Sequence, residues 1–284
     1  MRTARFGLAI LVIFLFRPAF ADPTALEDHI AQEQRWKEAG LFILPHRPSY
    51  FMPLSYNGRP NMAPYPPGTA ELEKFETKFQ ISLKVPVAET FFKYNMATYI
   101  AFTQVSFWQA YNSQDSSLFR NTDYEPEFFL QFNNPHALGP VTNRYSRLGY
   151  AHQSNGQGGT MSRSWNRLYA EFVFDYKNAF FSIKPWYRLT GDPANDSNPD
   201  LWKYLGYGEI RSALKLRKHE LSLMFRNNLQ THDNKGAVEL GWAFPLIRSM
   251  KGYVQYFNGY GESLLDYNTP VSRVSLGVSF SGWL

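Results

Sequence analysis

Apolar and polar side chains alternate along residues 75–85 of this chain. One parity holds Phe75, Thr77, Phe79, Ile81, Leu83 and Val85, and the other holds Glu76, Lys78, Gln80, Ser82 and Lys84. Because successive side chains of a β-strand point to opposite faces, the pattern predicts a strand with one apolar and one polar face. Such a strand suits a membrane barrel with its apolar face outward, or a soluble sandwich with its apolar face inward.

Comparable runs recur along the rest of the chain, which is 17% aromatic. With a first strand at 50–56, the runs lie at 75–85, 97–111, 124–133, 144–154, 164–176, 180–189, 202–216, 220–229, 237–246, 251–260 and 271–282. They total about twelve, an even number that suits a closed bacterial barrel. Several have the roughly 9–11 residues that a tilted membrane strand needs. The expected fold is therefore all-β, a transmembrane antiparallel β-barrel of about twelve strands.

The N-terminus has the pattern of a secretory signal peptide. Arg2 and Arg5 precede an apolar run at 6–16, and Ala19-Phe20-Ala21 is a small-x-small cleavage site. Residues 1–21 are therefore predicted to be removed, although a retained signal anchor is an alternative. No second apolar stretch has the length of a membrane helix, which argues against a helical membrane protein.

Residues 22–284 are expected to form a single barrel domain with a short N-terminal periplasmic segment. Residues 22–40 are compatible with a helix and equally with a loose tail. The chain has no cysteine, so disulfides cannot stabilise it. The net charge of +5 is mild and comes without a lysine-arginine block, which argues against a nucleic-acid partner. Charged residues within or beside the strands are expected to line a polar interior: Arg120, Glu125, Glu171, Lys184, Arg188, Glu209 and Arg211.

A candidate catalytic group lies in residues 150–169. His152 and Ser154 are two residues apart, so an extended strand places a base beside a hydroxyl on one face. Asn166 follows a glycine-rich break, and a hairpin would return it beside His152. A serine, a histidine and an amide that orients the imidazole form a nucleophilic triad. Asn166 shares its parity with Leu168 and Phe172, so the expected triad faces lipid.

The chain resembles the outer-membrane phospholipase A family. The resemblance rests on an HxSNG motif at 152–156 and an SRSWNR motif at 162–167, at the spacing that the family has. Further matching segments are SSLFRNTDYEP at 116–126, KPWY at 184–187, NPD at 198–200, KYLGY at 203–207 and GYGESLLDYN at 259–268. The resemblance covers nearly the whole mature chain.

The family resemblance implies a calcium-dependent hydrolase of acyl esters in phospholipids and lysophospholipids, of phospholipase A1/A2 type, in the bacterial outer membrane. By position, Ser154 is the nucleophile, His152 the general base and acid, and Asn166 the residue that orients the imidazole. The backbone N–H of Gly156 is the implied oxyanion donor.

The resemblance also implies a homodimer with one Ca²⁺ per active site. The implied ligands are the carbonyl of Gln157, the hydroxyl of Ser162, and Ser116 of the partner subunit. Gln104 is the implied polar contact at the dimer interface, with a lumen-facing glutamine as the alternative. Because this ligand set has no carboxylate, the site is expected to depend on dimerisation. The partners expected are thus phospholipid, outer-membrane lipid and a second copy of the chain.

Three other classes compete with this interpretation. A non-catalytic, porin-like barrel would have no activity to lose on mutation of Ser154. Another lipid-modifying barrel enzyme, such as a lipid A deacylase, would also place serine and histidine near the outer leaflet. A soluble β-sandwich is disfavoured by the signal, the strand lengths and the aromatic content.

Overall fold

The computed structural model describes residues 23–89, 95–190, 196–247 and 250–284, and the predicted signal at 1–21 lies outside them. These ranges contain helices α1 (Ala25–Glu38) and α2 (Trp202–Leu205), a 3₁₀ turn (Gly159–Met161), and fourteen strands. The strands are β1 (Leu44–Pro45), β2 (Ser49–Asn57), β3 (Phe75–Glu89), β4 (Met96–Trp108), β5 (Phe119–Phe132), β6 (His136–Leu138), β7 (Val141–Ser154), β8 (Ser164–Tyr176), β9 (Ala179–Leu189), β10 (Gly208–Leu216), β11 (His219–Asn227), β12 (Gly236–Ile247), β13 (Met250–Gly259) and β14 (Val271–Ser281).

Twelve strands close into one antiparallel barrel, as the sequence predicted. Neighbours along the chain pair in turn, and the ring closes where β14 pairs with β2. The short strands β1 and β6 lie off this ring, on β3 and β7 respectively. Closure gives every barrel strand two hydrogen-bonded neighbours, which is what allows a sheet to cross hydrocarbon.

The apolar face of each strand points out of the barrel. On β3, Ile81 and Leu83 are exposed, whereas Lys78, Ser82 and Lys84 are buried in the interior. This arrangement is that of a membrane barrel and is the reverse of a soluble sandwich, in which the apolar face is the buried one. In the described part of the chain, no helix is both long enough and apolar enough to cross a membrane.

Buried ion pairs fill the barrel interior. Glu76 pairs with Arg120 at 3.0 Å and with Arg273 at 2.5 Å, and Glu125 pairs with Arg167 at 2.6 Å. Charges withdrawn from water are retained only when they are paired in this way. The central cavity that remains among them has a volume of about 120 Å³. The middle of the lumen is thus filled by side chains, unlike the water-filled channel of a porin.

Helix α1 is docked against the barrel and is not a loose tail. A capping box starts it, because Thr24 and Glu27 each bond the backbone N–H of the other. Leu26 is buried against Val173, Phe180 and Ala213 of the barrel wall. The helix therefore covers the end of the barrel opposite the β7–β8 loop, since Val173 and Phe180 flank the β8–β9 turn.

The segment 202–216, predicted as one strand, is divided in two by the structure. Residues Trp202–Leu205 form helix α2, and the strand begins only at Gly208. Gly206 ends the helix at φ +70°, a conformation that glycine adopts at little cost. A β-carbon there would lie 2.3 Å from the carbonyl oxygen of Asn227. The prediction of a continuous strand was wrong because the break at Gly206 depends on its close approach to Asn227, which is distant in sequence.

Candidate active site

The hairpin of β7 and β8 brings His152 and Asn166 together. The two residues are direct partners in the register, and Ser154 lies opposite Ser164. Their parity is that of Leu148 and Leu168, which are 53% and 49% exposed on the outer surface. The intervening residues, such as Gln153, point inward and bond interior side chains. His152, Ser154 and Asn166 therefore face away from the lumen.

A hydrogen bond of 2.8 Å joins Nδ1 of His152 to Oδ1 of Asn166. An amide oxygen only accepts, so this contact places the proton of the neutral imidazole on Nδ1. The lone pair of the ring is then on Nε2, the nitrogen that a general base uses. Ser154 lies two residues further along the same face of β7. The hairpin thus presents a base of defined tautomer beside an alcohol.

Asn155 shapes the loop that follows the serine, a role that was not predicted from the sequence. Its buried side chain accepts from the N–H groups of Gln157 and Arg163 and donates to the carbonyl of Met161. An asparagine that bonds nearby backbone groups is a common way to fix a tight loop. The Asn-Gly pair at 155–156 was the available signal for such a turn.

Gly156 takes φ +65°, a backbone conformation that other residues adopt only with strain. A β-carbon at this position would lie 3.1 Å from Cε2 of Tyr124. Tyr124 lies opposite Ser154 in the register of β5 and β7. Glycine is therefore favoured here both by the backbone conformation and by the close approach of a neighbouring ring.

The predicted calcium ligands lie on two loops at one end of the barrel. Gln157 and Ser162 belong to the β7–β8 loop that Asn155 ties together, and Ser116 lies in the β4–β5 loop. Strands β4 and β7 are both antiparallel to β5, so both end on the same side. They are two strand spacings apart, about 10 Å. Trp108 donates its indole N–H to the carbonyl of Ser116 at 2.8 Å.

The chemistry of this ligand set suits calcium, because every donor is an uncharged oxygen and calcium is a hard ion. Across the described residues, no group of three or more histidine, cysteine, aspartate or glutamate side chains could hold a metal ion. The two ligands from one loop are too few for the six to eight oxygens that calcium takes. The residues fit a calcium site in which water and a further group of oxygen ligands supply the remaining positions.

Gln104 lies on the outer face of β4, in the parity of Ile100 and Phe102, which are both exposed. Its amide donates to Oγ of Ser106 at 3.1 Å on the same strand. The alternative of a lumen-facing glutamine is therefore wrong. A role in a dimer contact stays a prediction.

Fold and site together define a class: an outer-membrane β-barrel that displays a serine, a histidine and an asparagine on its lipid-facing surface. The family model for phospholipase A1 matches residues 26–280 of the chain. A relative from Neisseria meningitidis serogroup B, named "Putative phospholipase A1", is 40% identical over 256 residues. The match covers 85% of this chain and 66% of the relative, just under two thirds of its length. The chain belongs to the phospholipase A1 family.

Two solved structures share the fold. The outer membrane phospholipase dimer of Salmonella typhi with bound calcium is 33% identical, with a TM-score of 0.82, covering 88% of this chain and 96% of that one. The outer membrane phospholipase A of Escherichia coli was solved as an active-site mutant in which alanine replaces an asparagine. It is 34% identical, with a TM-score of 0.80, covering 85% of this chain and 93% of that one.

Proposed function

We propose that this protein hydrolyses acyl ester bonds of phospholipids in the outer membrane, with Ser154, His152 and Asn166 as its catalytic triad. The observation that carries the proposal is the 2.8 Å bond between His152 and Asn166 on a lipid-facing surface, with Ser154 on the same face. A site in this position meets its substrate in the bilayer itself, so the barrel needs no channel to the lumen. Lysophospholipids, which carry the same ester, are substrates of the same chemistry.

In the proposed mechanism, Oγ of Ser154 attacks the ester carbonyl carbon while Nε2 of His152 takes the hydroxyl proton. The N–H of Gly156 donates to the oxyanion that forms, a contact typically worth about 3–4 kcal/mol. The intermediate collapses, the carbon–oxygen bond of the ester breaks, and His152 returns its proton to the departing alcohol. A water molecule, activated in turn by His152, then releases the fatty acid from the serine.

Asn166 holds the imidazole in the correct tautomer throughout these steps. When His152 becomes an imidazolium, its Nδ1–H continues to donate to the Asn166 oxygen. A neutral amide stabilises that cation less than an aspartate would. Orientation is therefore the main contribution of Asn166.

We propose that calcium is held by the carbonyl of Gln157 and the hydroxyl of Ser162, with Ser116 of the partner subunit. Calcium there would add positive charge beside the oxyanion. The proposal is supported by the carboxylate-poor loop, which leaves a single chain short of ligands, and by the calcium-bound dimer of the Salmonella relative. Dimerisation would then switch the enzyme on, with Gln104 at the interface.

The proposal is tested by fatty-acid release from phospholipid–detergent micelles. Ser154→Ala is expected to lower kcat by about a million-fold, to the background of the assay. The matched control is Ser272→Ala, because Ser272 is an exposed serine of the same outer surface, at the start of β14. It is expected to retain full activity. Undiminished hydrolysis by Ser154→Ala would contradict the proposal.

The same assay addresses the alternatives. Hydrolysis of phospholipid but not of lipid A separates this function from that of a lipid A deacylase. Activity that is lost with a chelator and regained with calcium supports the metal site. Chemical cross-linking with and without calcium measures the dimer, and full activity in a strictly monomeric form would contradict activation by dimerisation.

A further inference from the structure

Tyr150 contacts Asn166 of the triad, although the two residues are not direct partners in the strand register. Its partner across the β7–β8 register is Leu168, so Asn166 is its diagonal neighbour. Diagonal neighbours lie about 7–8 Å apart at the backbone, within reach of an aromatic side chain. The hydroxyl of Tyr150 donates to Oδ1 of Asn166 at 2.7 Å. The same oxygen accepts from Nδ1 of His152 at 2.8 Å.

Two donors thus converge on one amide oxygen, which has two lone pairs to offer. The orientation of the amide matters, because rotation by 180° would turn its NH₂ group toward Nδ1 of His152. The imidazole would then have to accept at Nδ1 and carry its proton on Nε2. That tautomer cannot take a proton from Ser154.

The surroundings strengthen the effect of the tyrosine. Leu148 and Leu168 flank the network on the outer surface, where hydrocarbon offers no hydrogen bonds to compete. After such a flip the oxygen of the Tyr150 hydroxyl could accept from the amide NH₂ group, but the Tyr150 O–H would lose the acceptor that it now has. In hydrocarbon that O–H would stay without a partner. The tyrosine therefore penalises the orientation that would inactivate the imidazole.

We propose that Tyr150 is a positioning residue, which locks the Asn166 amide with its oxygen toward His152 and so fixes the catalytic tautomer. The proposal rests on the proposed function of the triad. It assigns the tyrosine no contact with substrate and no part in proton transfer. Its effect passes through Asn166 alone.

The first test is Tyr150→Phe, which removes one hydroxyl and keeps the ring. Loss of one neutral hydrogen bond is expected to lower kcat about three- to tenfold, with KM unchanged. The matched control is Tyr256→Phe. Tyr256 is 37% exposed, close to the 39% of Tyr150, and its hydroxyl also contacts a side chain of the adjacent strand, Ser272. The control is expected to leave kcat unchanged.

A double-mutant cycle distinguishes positioning from a general structural role. In an Asn166→Ala background, Tyr150→Phe is expected to cause no further loss, because the amide through which it acts is gone. A loss in the double variant equal to the product of the two single losses would overturn the proposal. So would full activity of Tyr150→Phe on its own.

A second readout is independent of turnover. The tautomer of His152 can be measured by ¹⁵N NMR of protein labelled with ¹⁵N-histidine in micelles. The spectra are expected to show the proton on Nδ1 in the wild type and both tautomers in Tyr150→Phe. An unchanged tautomer in Tyr150→Phe would overturn the proposal. Activity retained by Ser154→Ala would instead overturn the triad itself, so the two failures are distinguishable.

Discussion

Replacement of Asn166 by alanine tests the geometry of the triad most directly. The change removes the 2.8 Å bond to His152 and leaves the nucleophile and the base in place. In the transition state this bond is donated by an imidazolium, and hydrogen bonds to charged groups contribute about 1.5–3 kcal/mol. The expected loss in kcat is therefore about 10- to 150-fold.

This loss is far smaller than the one expected for Ser154→Ala, because an imidazole without its orienting contact still adopts the productive orientation and tautomer part of the time, whereas the nucleophile cannot be replaced. Initial rates of fatty-acid release from micelles, with calcium in excess, measure both variants. Asn166→Asp restores an acceptor and is expected to be at least about tenfold more active than Asn166→Ala. Asn258→Ala, at an exposed position on β13, serves as the control and is expected to be unaffected.

Two results would refute this reasoning. If Asn166→Ala lost as much activity as Ser154→Ala, the asparagine would have to take part in the chemistry rather than in orientation. If Asn166→Ala kept full activity, the contact seen between the hairpin strands would have no role in turnover.

Further predictions concern the oxyanion loop and the docked helix. Gly156→Ala is expected to lower kcat about tenfold, because a β-carbon at φ +65° costs about 1–2 kcal/mol and would lie 3.1 Å from Tyr124. Kinetics of fatty-acid release in micelles measure this change. An unchanged kcat would contradict the proposed role of the Gly156 N–H as the oxyanion donor. Leu26→Ala is expected to lower the free energy of unfolding by about 2–5 kcal/mol, measured by urea titration in micelles. Burial alone would raise the pKa of Glu33, but the ammonium group of Lys84 at 2.8 Å lowers that pKa to about 2. Since the pKa of Glu33 in the folded protein lies below its ordinary value of 4.5, the ion pair stabilises the protein above pH 4.5, and this stabilisation is lost as the pH falls toward 2. The free energy of unfolding, measured between pH 4.5 and pH 2, is expected to depend less on pH in Glu33→Gln than in the wild type.

Most of the barrel was predictable from the sequence, because strand alternation is a local property. The strand at 164–176 was predicted with the bounds that the structure has. The helical start of the segment 202–216 was not, since its end depends on the approach of Gly206 to Asn227, which is distant in sequence. The docking of α1 was likewise left open, because residues 22–40 carry no signal for the surface that Leu26 contacts.

The candidate site divides in the same way. The spacing of His152 and Ser154 places them on one face of any strand, and the glycine-rich break before Asn166 predicted the hairpin that returns it to His152. Motif resemblance added Gly156 and the calcium ligands. The contact of Tyr150 with Asn166 was not predictable, because diagonal neighbours follow from the register between two strands and not from the spacing within one.

The sequence by itself determined that this chain forms membrane-length strands, apolar on one face, with a base and an alcohol side by side on one of them. These properties follow from the two-residue period of an extended backbone. Only the tertiary structure decided which face meets lipid, that β14 closes on β2, that ion pairs fill the lumen, and that His152 and Tyr150 share one oxygen of Asn166. The reason is physical: pairing and closure join residues far apart in the chain, and their geometry is fixed by hydrogen bonds between strands that no local pattern encodes.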